Sequence, residues 1–331
     1  MRNKSTQTSD NSLYNKIASI LEESRKFVAI TVNTAMVQTY FEIGRLIVEE
    51  EQHGNVRAEY GKETLKNLSI KLTANYGKGF SQRNLEQMRQ FYLVYSTQIP
   101  QTPSAKFSLS YSHYLFLMRI DNPEERKFYE IESSQNNWSL RELKRQFDSA
   151  LYERLSLSKD KEKVKSLAIQ GQIIENPCDI VKDPYVLEFL GLPEKAYYSE
   201  SELESRLIEK LENFLLELGK GYTFVGRQVR LSFDEKHFFV DLVFYNRLLQ
   251  CFVLIDLKIG ELTHQDLGQM QMYVNYYDRF VKLDHENKTI GIILCKKKSD
   301  SLVEITLPED NNQIFASKYQ TVLPNKEDLI K

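Results

Sequence analysis

Cysteine is scarce in this 331-residue chain: three residues, odd in number and far apart, exclude a disulfide framework. Cys178, Cys251 and Cys295 form no CxxC pair. Two of them sit inside apolar, strand-like runs, so inert thiols in a reducing compartment are expected. No apolar run approaches the roughly 18 residues that a membrane helix needs. The opening MRNKSTQTSDNS is polar, with no signal-peptide core behind it. A soluble, cytoplasmic protein is expected, with residues 1–11 disordered. No GxxxxGK(S/T) loop occurs, so ATPase chemistry is not expected, and the five histidines lack zinc spacing. Charge of one sign is missing too. The net charge is −2, with a small basic excess in residues 1–158 and an acidic one beyond, a split compatible with nucleic acid without requiring it.

What is present reads as globular: 41% hydrophobic, 27% charged and 11% aromatic residues. The length suits two domains. Residues 12–155 carry apolar positions at three- and four-residue intervals, predicting an all-α domain. Within it, two amphipathic helices flank the turn NYGKGF, with Ser81 as N-cap of the second. This is a helix-turn-helix spacing, although any helical bundle turns a corner in the same way. Asp121 is expected to cap a helix opening at Asn122-Pro123, and Ser139 with Glu142 has capping-box spacing. The lysine-rich, polar stretch 156–178 reads as a linker.

From 179 the pattern changes. SESELESRLIEKLENFLLELG predicts one amphipathic helix closed near Gly219 and Gly221. Strand-like runs follow at Tyr222–Leu231, Phe238–Tyr245 and Cys251–Lys258, then a helix over His264–Asp278 and the strand TIGIILCKK. That order predicts a mixed α/β sheet flanked by helices.

Three charges interrupt these apolar runs. An unpaired charge in a strand buried on both faces costs several kcal/mol, so Asp241, Asp256 and Lys258 need a reason. Alternate strand residues share a face, which makes Asp256 and Lys258 neighbours. The segment NRLLQ reads as a hairpin that brings Asp241 beside Asp256. Two adjacent carboxylates repel unless a cation or a proton lies between them. Their oxygens are hard ligands suited to Mg²⁺ or Mn²⁺ with water and phosphate. A bound ion activates water and polarises phosphorus, and the lysine orients that water or stabilises charge. A structural ion pair would explain one acid but not the second.

Asp241 followed by Asp256-Leu257-Lys258 resembles the PD-(D/E)XK nuclease signature, with Val240 in place of its proline. Gln269 and Tyr273, four apart on the next helix, match the QxxxY spacing of some members. KDPYVLEFLGL, LENFLLELGKGYTFVGRQVRL, DLVFY, IDLKIG, GQMQMYVNYYD and IGIILCKKK are together similar to the YhcG family. So are the N-terminal YGKGFSQRNLEQMRQFY and NNWSLRELKRQFDSALYERL. The resemblance covers nearly the whole chain. It implies an α+β two-domain protein: an all-α N-terminal domain over 12–155 and a C-terminal α/β restriction-endonuclease-like domain over 179–331. Many such sites add an acid from the preceding helix. Of Glu204, Glu209, Glu212 and Glu217, the choice is Glu212, which sits among Leu211, Leu215 and Leu216.

The predicted function is a Mg²⁺- or Mn²⁺-dependent DNA endonuclease. Asp241, Asp256 and Glu212 hold the metal, Lys258 positions the water, and Gln269 and Tyr273 support the site. DNA contacts are expected from Lys78, Arg83, Asn84, Gln87 and Arg89 in the helical domain, and from Arg227, Gln228, Arg230 and Lys296 in the sheet. Family analogy points to foreign or mobile-element DNA in bacterial defence. A homo-oligomer, dimer or higher, or a defence-system partner is expected, since cuts on two strands usually need two sites. Two rivals stand beside this reading: a DNA-binding or assembly factor that no longer cuts, and a structure-specific nuclease acting on branched DNA.

Overall fold

The computed structural model describes residues 5–53, 58–96, 107–157, 161–192, 198–233 and 235–325. The chain divides into two compact units, Met1–Leu143 and Lys144–Lys331. Of the segment 1–11, residues 1–4 lie outside the described residues, and helix already begins at Ser5.

The first unit is helical: α1 (Ser5–His53), α2 (Ala58–Tyr76), α3 (Gln82–Tyr95), α4 (Tyr111–Leu117), α5 (Pro123–Gln135) and the first turn of α6 (Leu140–Asp148). A short 3-10 turn, Lys78–Phe80, joins α2 to α3. Ser81 caps α3 by accepting from the Asn84 amide, which satisfies one of the donors left free at a helix start. The cap of α5 is Asn122 rather than Asp121: its side chain accepts from the Glu124 and Glu125 amides. Ile47, Leu65, Leu85 and Met88 knit α1, α2 and α3 together. Gly44 is needed there, because a Cβ on it would stand 2.1 Å from the Met88 carbonyl oxygen. Around this core, Phe91 meets Phe107 and Tyr114 at ring separations of 5.2 Å, within the range of favourable aromatic pairs.

The second unit contains the rest of α6, then α7 (Leu151–Leu157), α8 (Lys161–Gln170), α9 (Glu200–Glu209), α10 (Leu211–Leu218), α11 (His264–Phe280) and α12 (Asp300–Thr306). Its sheet is formed by β1 (Tyr185–Val186), β2 (Tyr222–Phe233), β3 (Lys236–Asn246), β4 (Cys251–Glu261), β5 (Ile290–Lys297) and β6 (Ile314–Gln320). Strand order is β1-β6-β5-β4-β3-β2. The pairs β2–β3 and β3–β4 are antiparallel, while β4–β5, β5–β6 and β6–β1 are parallel. Each face carries its own apolar layer: one with Leu203, Leu207, Phe214, Leu242 and Ile255, the other with Leu254, Leu267, Met270, Val274 and Ile293. Burial on both faces is why β3, β4 and β5 read as unbroken hydrophobic runs.

The helical N-terminal region and the C-terminal mixed sheet bear out the α+β two-domain class. In detail, the single helix expected over the SESELESRLIEKLENFLLELG segment is broken at Lys210, whose φ of −112 and ψ of 32 leave the helical region. The division into compact units at 143/144 lies ahead of the polar stretch 156–178. The reason is a buried anchor: Arg154 pairs with Glu217 at 2.6 Å with both side chains fully buried, and Arg145 reaches Glu217 at 3.3 Å. These contacts tie α6 and α7 to α10. Among the described residues no helix is long and apolar enough to cross a membrane.

Candidate active site

The site is built where β3 and β4 leave their shared ladder. Pairing runs from Asn246↔Cys251 to Leu242↔Ile255, so Asp241 and Asp256 follow as the next cross-strand pair. Asp241 is held at both oxygens: Oδ2 accepts from the Leu257 amide at 2.8 Å, and Oδ1 accepts from Gln228 Nε2 at 2.9 Å. Asp256 is 3% exposed. Burial and the Asp241 charge raise its carboxyl to about 7, against the opposing pull of Lys258. Lys258 Nζ approaches Asp256 Oδ2 to 2.9 Å. Lys258 is thus the cation that faces this buried carboxylate oxygen.

Lys258 is half-surrounded by acid. Its amine lies 3.8 Å from Glu200 and 3.9 Å from Asp266 as well. Burial works to lower its pKa, but the Asp256, Glu200 and Asp266 charges outweigh that and raise it. Asp266 is fixed by the capping box it forms with Thr263 at the start of α11. Further along that helix, Gln269 Nε2 donates to the Tyr273 hydroxyl at 2.7 Å, which donates to the Phe239 carbonyl at 2.9 Å. Burial and the two aspartates push the Tyr273 phenol up to about 12.

The third acid differs from the one chosen by sequence. Glu204, buried on α9, accepts from Gln228 Nε2 at 2.6 Å, and the same nitrogen donates to Asp241. Burial raises the Glu204 pKa, as does the Asp241 charge, while the Gln228 bond works against them. Glu212 is exposed in the first turn of α10, past the break at Lys210, and among the described residues it makes none of these contacts. The structure brings Glu204, and not the expected Glu212, beside Gln228 and Asp241. Glu217 belongs to the arginine anchor, and Glu209 is exposed.

Gln228 stands opposite Asp241 with a φ of 48, a left-handed backbone that costs a non-glycine residue of order 1 kcal/mol. The alternation of a regular strand is interrupted there. Arg227 and Arg230 are exposed on the same strand. Lys296 instead stacks its amine 4.3 Å from the centre of the Tyr198 ring. In the first unit, Arg83 is exposed and Gln87 half-buried on α3, Asn84 Nδ2 donates to the Gly79 carbonyl at 2.9 Å, and Arg89 pairs with Glu51 at 2.7 Å. Arg89 thus binds α3 to α1.

The donor set fits one hard cation. Among the described residues no three acidic, histidine or cysteine side chains form a ready cluster. Two adjacent carboxylates, one of them buried and raised in pKa by its neighbour, nevertheless match an ion that takes one or two carboxylates and fills its shell with water and phosphate.

This sheet, with an acid on β3 and Asp-x-Lys on β4, defines a nuclease domain of the PD-(D/E)XK class. Residues 178–331 match the family model of the YhcG PDDEXK nuclease domain, and residues 16–154 match that of the DUF1016 N-terminal domain. Over 345 aligned residues the chain is 39% identical to the Escherichia coli (strain K12) protein named "Putative nuclease YhcG", covering 96% of this chain and 92% of that one. The chain belongs to the YhcG family. Two solved structures are also similar over 40% of this chain. One is a repair endonuclease from Pyrococcus abyssi (15% identity, TM-score 0.25, half of that chain); the other is EndoMS in complex with double-stranded DNA (16%, 0.27, 48% of that chain).

Proposed function

We propose that the protein is a Mg²⁺- or Mn²⁺-dependent DNA endonuclease that hydrolyses phosphodiester bonds. The observation that carries this reading is the pairing of buried Asp256 with Asp241, whose charge together with burial raises the Asp256 pKa to about 7 even with Lys258 alongside, a concentration of negative charge that a bound cation relieves. Asp241, Asp256 and Glu204 would hold the ion, which when bound supplies a polarised phosphoryl oxygen and a more acidic water. The chain's own groups do the rest. Gln228 keeps Glu204 and Asp241 at one spot. Lys258, held protonated by its acidic neighbours, stabilises negative charge on the phosphorus and orients the attacking water as a cation rather than a base. Gln269 and Tyr273 brace the backbone of β3 two residues from Asp241.

DNA is delivered by exposed cations, Arg227 and Arg230 beside the site and Lys78 and Arg83 at the α2–α3 corner of the helical unit, with the neutral amides Asn84 and Gln87 of that corner adding polar contacts. Residues 156–178 act as the functional boundary, and the two family-model spans leave most of this stretch between them. The setting is cytoplasmic defence against foreign or mobile DNA, through self-association or a partner protein. The test is cleavage of supercoiled, linear, single-stranded and branched DNA with Mg²⁺, with Mn²⁺ and with EDTA. Asp241→Ala, Asp256→Ala and Lys258→Ala are each expected to lower cleavage by at least roughly 10²-fold with circular dichroism unchanged. Undiminished cutting by a folded variant removes that residue from the mechanism.

A further inference from the structure

The hairpin of β2 and β3 extends past the site as a two-stranded arm. Residues 236–240 of β3 pair with β2, and the β4 ladder starts only at Leu242. One face of the arm is apolar and packed: Leu231 and Val240 are buried, and Phe238 stacks on Phe233 at 5.0 Å while resting on the core layer that includes α11. The alternate residues Arg230, Ser232, His237 and Phe239 are exposed. Phe239 stands directly across the ladder from Arg230, and Ser232 across from His237.

Phe239 is the unusual member. Its ring is 47% exposed, yet its carbonyl is pinned by the Tyr273 hydroxyl at 2.9 Å. Isolated exposed hydrophobic residues are ordinary. This one is held on a braced strand two residues before Asp241 and has an arginine as its cross-strand neighbour. Two strand residues span about 7 Å, or about two nucleotides at the 3.4 Å step of one DNA strand. A base inside a duplex presents only its edges in the grooves, whereas an unpaired base offers a π face for an aromatic ring, with arginine contributing to the phosphate and the stack.

We infer that this arm selects DNA carrying an unpaired nucleotide next to the cut, with Phe239 stacking on that base and Arg230 holding an adjoining phosphate. The inference rests on the nuclease reading for the position of the scissile phosphate, so its test is a binding measurement. The full-length protein is titrated in EDTA, at fixed salt, into a labelled single strand, a blunt duplex of the same sequence and a duplex with a single-stranded gap. Wild type is expected to prefer the single strand and the gap. Phe239→Ala should lose about tenfold for those two, a modest stacking contribution, while changing blunt-duplex affinity less than about twofold; Phe239→Trp should restore the preference. Arg230→Ala should weaken all three alike and flatten the salt dependence. No preference in wild type, or an equal loss on all three substrates in Phe239→Ala, overturns the inference. Cleavage is then scored with Mg²⁺ on the same three substrates. Discrimination in binding without any cutting upholds the arm and removes the nuclease reading, whereas cutting that ignores Phe239→Ala and unpaired bases does the reverse.

Discussion

At the residue scale, the site is a small set of side chains held in costly states. Half-buried Asp241 sits beside buried Asp256, and Gln228 adopts a left-handed backbone where it donates to two acids. Asp241, Asp256 and Lys258 were legible in the sequence because charge interrupts apolar strands there, whereas Gln269 and Tyr273 were expected from the resemblance to nucleases with a QxxxY spacing. Glu204 was not legible, because its partner Gln228 lies 24 residues away and no local periodicity reports a bridge between a helix and a strand. The two glutamates separate cleanly by experiment. Glu204→Gln is expected to lower cleavage by at least roughly tenfold and to raise the Mg²⁺ needed for half-maximal rate. Glu212→Gln should change neither. Equal effects in a cleavage titration would return the third acid to the open.

Elements set which of these groups meet. The apolar runs of β3, β4 and β5 and the helix α11 were readable from composition and period. By contrast, β1 and β6 are short or polar at intervals and acquire strand form only from their parallel neighbours. The break at Lys210 was equally invisible, since nothing in SRLIEKLEN disfavours helix. It lets α10 turn Glu217 into the arginine anchor. There burial works to raise the Glu217 pKa, and the Arg154, Lys182 and Arg145 charges overcome it and lower it from 4.5 to about 2. A carboxyl with a depressed folded pKa stabilises the fold fully above its unfolded value and loses that stabilisation as pH falls through the folded one. The contribution, on the order of 3 kcal/mol, is therefore present above about pH 5 and fades toward pH 2. Urea unfolding of wild type and Glu217→Gln across that range should show curves far apart at pH 7 that converge in acid. Parallel curves would mean that the anchor is not an ionic one.

For the whole molecule, two compact units share one chain, and their division is set by contacts rather than composition. The polar stretch 156–178 marks where sequence character changes, but Arg145 and Arg154 commit α6 and α7 to the sheet-containing unit earlier. The helical unit has its own close-packed point at Gly44, where α1 lies against the Met88 backbone. Gly44→Ala is expected to destabilise that unit by roughly 1–3 kcal/mol, seen as an early unfolding step by calorimetry while the second unit keeps its transition. A single unshifted transition would show that the helices accommodate the methyl group.

The account turns on why the chain keeps a buried and a half-buried aspartate side by side, and calorimetric titration of Mg²⁺ and Mn²⁺ into the full-length protein at pH 8 tests this most directly. Saturable metal binding that disappears in Asp256→Asn, with thermal stability of the metal-free variant equal to or above wild type, is the expected result. Absence of binding in wild type, or binding that survives Asp256→Asn unchanged, would contradict it.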